Sequence, residues 1–148
     1  MALFLKGRSN MRIRYADQAD TDFWLSMDRH IDKQILLQKI ADNQCYVLEN
    51  GQRKIGVLRY NLFWDNTPFC TLLFIHPEFQ HIGYGKAMMA HWEKEMKANG
   101  YGMVMTSTQV DEMAQHFYRK LGFKDAGGII FDIPGFEQPM EMIMIKGI

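Results

Sequence analysis

Two glycines one residue apart, Gly83 and Gly85, close the run Ile75-His76-Pro77-Glu78-Phe79-Gln80-His81-Ile82-Gly83-Tyr84-Gly85-Lys86. A strand-like apolar stretch enters this run and a helical pattern leaves it. Such a junction exposes backbone N–H groups at the positive end of a helix, which suits a phosphate. Glycine fits because a side chain there would hold the phosphate away from the backbone. A Walker loop needs a glycine five places before Gly85 and Ser or Thr after Lys86, where this chain has Gln80 and Ala87. A dinucleotide fingerprint needs a third glycine where Met88 stands, within a parallel βαβ frame. Both are excluded, which leaves another kind of phosphate loop or a plain glycine-capped turn.

The spacing Gln80-x-x-Gly83-x-Gly85 resembles the acyl-coenzyme A pyrophosphate loop of the GNAT superfamily of N-acetyltransferases. Beyond it comes Asp111-x-x-Ala114-x-x-Phe117-Tyr118-x-x-x-Gly122-Phe123, similar to that family's other hallmark, a helix bearing a tyrosine near the thioester sulfur. The two motifs stand in the family's order, one helix and one strand apart. The resemblance spans roughly Met11 to Lys146 and is sharp over Phe74–Phe123. It implies acetyl-CoA as co-substrate, no metal, and transfer of acetyl to a primary amine by direct attack in a ternary complex.

The same resemblance implies a cofactor set of Phe74, Ile75, Gln80, His81, Ile82, Gly83, Tyr84, Gly85, Lys86, Asp111, Ala114 and Tyr118. Main-chain groups of Phe74 and Ile75 would pair with the pantetheine amides, and His81–Lys86 would hold the pyrophosphate. Tyr118 would be the general acid toward the departing thiolate. Asp111 departs from the asparagine common there, since a carboxylate accepts hydrogen bonds and cannot donate from an amide. His81 and Tyr84 replace residues that are commonly small or aliphatic. A rival reading is a non-catalytic acyl-CoA sensor or interaction module on the same fold. Dimers are common in the family, so the resemblance also implies a homodimer.

An acceptor ammonium, near pKa 10.4 if Lys-like, must lose its proton before attack. Glu78, His76 and Asp65 are base candidates by type, with Glu78 carried as the catalytic one and water as the alternative. Acceptor recognition is expected from the first helix, from Arg59 and Asn61 on one strand face, from Trp64 and Asp65 at its end, and from the late loop 133–139. An arginine there suits a carboxylate or phosphate. Five histidines (30, 76, 81, 91 and 116) form no HExxH or compact ligand set, so no metal is expected.

Positioning these groups requires a mixed α/β domain. Met11–Ala16 alternates as a strand, and Phe23, Trp24, Met27, Ile31 and Ile35 recur at helical spacing, giving one helix or two between about Asp20 and Ile40. Cys45–Glu49 and Lys54–Trp64 read as a hairpin about Asn50-Gly51, and Phe69–Ile75 as a third strand after the Asp65–Pro68 turn. Met88, Met89, Trp92 and Met96 mark one face of a helix stopped by Gly100. Then come a strand at Met103–Ser107, a helix N-capped by Asp111 and stopped at Gly122, and a last strand at Glu141–Lys146. The expectation is a single GNAT-like domain over 11–148, its central sheet mixed and largely antiparallel, with 1–10 a lead-in or residues added to the natural chain.

Composition narrows the partners. Apolar residues make up 47% and charged residues 23%, as in globular domains. Seventeen basic residues balance seventeen acidic ones, which argues against nucleic acid and anionic membranes and mildly favours a small-molecule amine. Cys45 and Cys70 lack a CxxC spacing and read as reduced thiols of a cytoplasmic protein. Met1–Leu5 meets Lys6, Gly7 and Arg8 at once, too short an apolar run for a signal peptide. The twelve methionines read as core filling.

Overall fold

The computed structural model describes residues 10–148, so the lead-in expected over 1–10 falls, but for Asn10, outside the described residues. Seven strands form one mixed sheet in the order β1-β2-β3-β4-β5-β7-β6. These are β1 (Met11–Tyr15), β2 (Cys45–Asn50), β3 (Arg53–Phe63), β4 (Thr67–Ile75), β5 (Met103–Gln109), β6 (Lys124–Ile129) and β7 (Glu141–Gly147). Among the described residues, four α-helices accompany them: α1 (Thr21–Met27), α2 (Lys33–Ala41), α3 (Tyr84–Ala98) and α4 (Ala114–Lys120). The α/β class and mixed sheet are as expected. Parallel pairing enters where Phe69 and Cys70 of β4 meet Met105 and Thr106 of β5. Among the described residues, no helix is long and apolar enough to cross a membrane.

The chain groups into two compact units, one running through Tyr60 with Leu72–Trp92, the other Asn61–Thr71 with Glu93–Ile148. In the first, the helical region between Asp20 and Ile40 is two helices. The break falls at Asp28, whose N–H closes α1 on the Trp24 carbonyl before Asp32 caps α2. Trp24, Leu36 and Ile40 bury their apolar faces against Cys45, Val47 and Val57. Gly56 leaves little room, since a Cβ there would lie 2.7 Å from Ile75 Cδ1 and would push the end of that side chain aside.

A charge cluster ties β1, the turn Gln18–Asp20 and the strands beside them. Asp20 is 1% exposed and takes both guanidinium nitrogens of Arg14 at 2.7 and 2.9 Å. It also takes Lys54 Nζ at 2.6 Å and the Asp17 N–H at 2.9 Å. Arg14 reaches Glu49 as well. Burial alone would raise the Asp20 carboxyl, but the bonds from Arg14, Lys54 and Asp17 outweigh it and hold the group well below the usual carboxylate range.

Met88, Met89, Trp92 and Met96 of α3 are all fully buried, the face anticipated from their spacing. Both predicted glycine stops hold. Gly100 and Gly122 take φ of 93° and 97°. Tyr101 N–H bonds Met96 O and Phe123 N–H bonds Tyr118 O, the six-to-one closure of a Schellman motif. One cap is corrected: α4 starts at Ala114, preceded by Met113 without a side-chain cap, and Asp111 lies in the turn before it. The strand β6 is an addition. Its residues are all exposed, and Gly127 at φ 141° carries a register shift against β7.

Candidate active site

The glycine loop lies wholly within the first unit. His76 N–H bonds the Ile55 carbonyl at 2.7 Å, so by strand alternation the main chain of Ile75 turns away from β3. The Gln80 side-chain amide donates to the Ile75 carbonyl at 2.8 Å and folds the loop back on the strand end. His81 and Gly83 take φ of 64° and 101° with Ile82 of ordinary hand between them. Such alternation of hand is the backbone pattern that turns successive N–H groups to one side in a nest. Gly83 O accepts from Ala87 N–H, so the nest opens directly into the first turn of α3. Tyr84 is buried edge-on against Phe79, while His81, Ile82 and Lys86 are exposed.

A cavity of ≈ 500 Å³ lies at the end of α1 beside β4, lined by residues 26–30 with Leu72, Phe74, His76 and Pro77. Asp28 forms its buried floor. Asp28 Oδ2 accepts from Arg59 Nε at 2.8 Å and from Trp24 Nε1 at 3.2 Å, and Oδ1 from the His30 N–H at 3.1 Å. Arg59, expected to face an acceptor, is instead spent on Asp28, with 13% of its side chain exposed. Of the base candidates, Glu78 is turned to Arg53 at 3.0 Å, both side chains more than half exposed. His76 does line the cavity, and its Nδ1 accepts the Glu78 N–H at 3.2 Å. A neutral ring so held carries its own proton on Nε2 and presents a donor.

Tyr118, Ala114 and Asp111 belong to the second unit. Tyr118 is 6% exposed and packs edge-on against Phe123. Burial pushes its phenol above the ordinary tyrosine range, the neighbouring Cys70 adds to this, and a hydrogen bond with Thr106 only partly offsets it. Thr106 donates its one hydroxyl proton to the Cys70 carbonyl at 3.0 Å.

The expected acceptor residues Asn61, Trp64 and Asp65 are also in this unit. Trp64 and Asp65 form the β3–β4 turn with φ of 54° and 61°, and Trp64 is 76% exposed. Asn61 Oδ1 is buried and, among the described residues, has no hydrogen-bond partner. Sequence reasoning missed the Met27–His30 turn as a cavity wall. The only signal was a polar Asp-Arg-His step interrupting the apolar helical spacing. Among the described residues, no group of three or more His, Cys, Asp or Glu is placed to hold a metal ion.

Comparison with solved structures places the fold. Ard1 from Thermoplasma volcanium superposes with a TM-score of 0.82 at 14% identity, over 94% of this chain and 98% of that one. The ribosomal-protein-S18-alanine N-acetyltransferase of Escherichia coli gives 0.76 at 17% identity, over 93% and 94%. A GNAT family acetyltransferase from Elizabethkingia anophelis, solved with acetyl-CoA bound, gives 0.74 at 16% identity, over 94% and 99%. A search of curated proteins found no match in sequence. The family model described as an acetyltransferase (GNAT) domain matches residues 41–125, which take in both the glycine loop and the Tyr118 helix. The chain belongs to the GNAT acetyltransferase family.

Proposed function

We propose that this chain is an N-acetyltransferase that moves acetyl from acetyl-CoA to a primary amine by direct attack in a ternary complex. The carrying observation is the nest at 81–83 opening into α3, directly after the strand whose last residue turns its main chain outward. It suits a pyrophosphate, with glycine at the two positions where a Cβ would intrude. Acetyl-CoA supplies an activated thioester carbonyl. The Ile75 N–H is the group available to orient that carbonyl and to steady the oxyanion of the tetrahedral stage. Much of the acceleration then comes from holding amine and thioester together.

Tyr118 is the general acid in this reading. Its raised pKa keeps the proton on oxygen at neutral pH, so it serves as a donor and not as a base. Because Glu78 is held by Arg53 and His76 offers a donor, the acceptor's proton leaves through water. Tyr118→Phe is expected to lower kcat about 10–1000-fold with the KM for acetyl-CoA unchanged, since a thiol of pKa near 8.5 leaves without much help. Steady-state kinetics with saturating amine checks this. An unchanged kcat when chemistry limits the rate removes the acid role. Coenzyme binding without transfer to any amine would favour the sensor reading.

A further inference from the structure

We infer that the acceptor is a small amine carrying a carboxylate and an apolar side chain, an apolar α-amino acid, held in the cavity beside Asp28 with Arg29 on its carboxylate. This inference rests on the acetyltransferase reading and deepens it. The volume of ≈ 500 Å³ suits a small molecule. The one carboxylate lining it, Asp28, is 1% exposed, has both oxygens bonded and has its charge cancelled by Arg59. Nothing anionic in the wall is left for a second ammonium.

Donors are what remain. Arg29 lines the cavity, is exposed, and among the described residues has no ion-pair partner. His76, with Nδ1 occupied, offers Nε2–H. A guanidinium and a ring N–H lining the same cavity match a carboxylate, which Arg can bind bidentately. Met27, Leu72 and Phe74, all half-buried, supply the apolar wall. A polyamine would meet the arginine charge with no free carboxylate to answer its own.

Leucine, leucinamide and 3-methylbutylamine separate the carboxylate from the rest of the acceptor. Offered to the whole chain with acetyl-CoA, leucine is expected to give a kcat/KM at least about 10-fold above the other two. Arg29→Gln, on an exposed side chain, is expected to raise the KM for leucine about 10–100-fold and to bring the acid-to-amide ratio toward one. Leucine binding is read separately by saturation-transfer NMR in the presence of coenzyme A. Preference for leucinamide or 3-methylbutylamine overturns the inference while leaving acetyl transfer intact. So does an unchanged leucine KM in Arg29→Gln, or leucine that does not bind. Leucine bound at Arg29 with no transfer to any of the three amines upholds the anion-binding cavity and overturns the transferase reading instead.

Discussion

Asp20→Ala is expected to cost about 3–5 kcal/mol, because it leaves Arg14 and Lys54 without their shared buried partner. A domain of this size has only about 5–15 kcal/mol to lose. Asp20 also closes the capping box of the first turn, so the loss includes a local element. The pH dependence follows from the depressed carboxyl. A group that binds its proton less readily when folded contributes stability that is fully present above its unfolded pKa, near 3.9. That contribution is lost as pH falls through the lower folded value. Urea unfolding of wild type and Asp20→Asn is therefore expected to show a wide gap at pH 7 that narrows as pH drops below about 4. A gap independent of pH would mean that the ion cluster does not stabilise the fold.

Gly85→Asp is expected to abolish coenzyme binding in a folded protein. Gly85 sits in the first turn of α3 without a left-handed φ, and aspartate is well tolerated at a helix N-terminus. Its carboxylate would occupy the space where the nest needs a phosphate. Wild type at a hundred times the dissociation constant of acetyl-CoA gains about 2.7 kcal/mol, a rise in Tm of roughly 5–11 °C. In Gly85→Asp that rise disappears while the unliganded Tm stays close to wild type. Gly83→Asp is a less clean variant, since φ of 101° strains any side chain there. A wild-type shift in Gly85→Asp would remove the loop from coenzyme binding.

The features legible in the sequence are those that short-range rules set. The stops at Gly100 and Gly122 follow from the left-handed conformation that a helix end demands, and the buried face of α3 from its spacing. The glycine loop was legible because its chemistry needs missing side chains at fixed positions. What stayed hidden depends on distant partners. Strand β6 has no alternation to read, for its residues are all exposed and Asp125, Gly127 and Gly128 look like a loop; pairing with β7 makes it a strand. Arg59 was expected to face the acceptor, but nothing local shows that Asp28, thirty-one residues away, takes it. Once Asp28 claims Arg59, the neighbouring Arg29 is the cation left at the cavity. Asp111 has the residue type of a cap, yet the turn at Val110–Met113 delays the helix past its reach.

Transfer of acetyl from acetyl-CoA to an amine is read by following both products at once. Purified protein is incubated with acetyl-CoA and a panel of amino acids, amino-acid amides and polyamines. Free thiol is read by absorbance and N-acetylated amine by mass spectrometry. Thiol and acetylated amine are expected in equal amounts for at least one amine, both falling sharply in Tyr118→Phe. Acetyl-CoA that binds yet is consumed no faster than in protein-free buffer, with every amine, would contradict acetyl transfer.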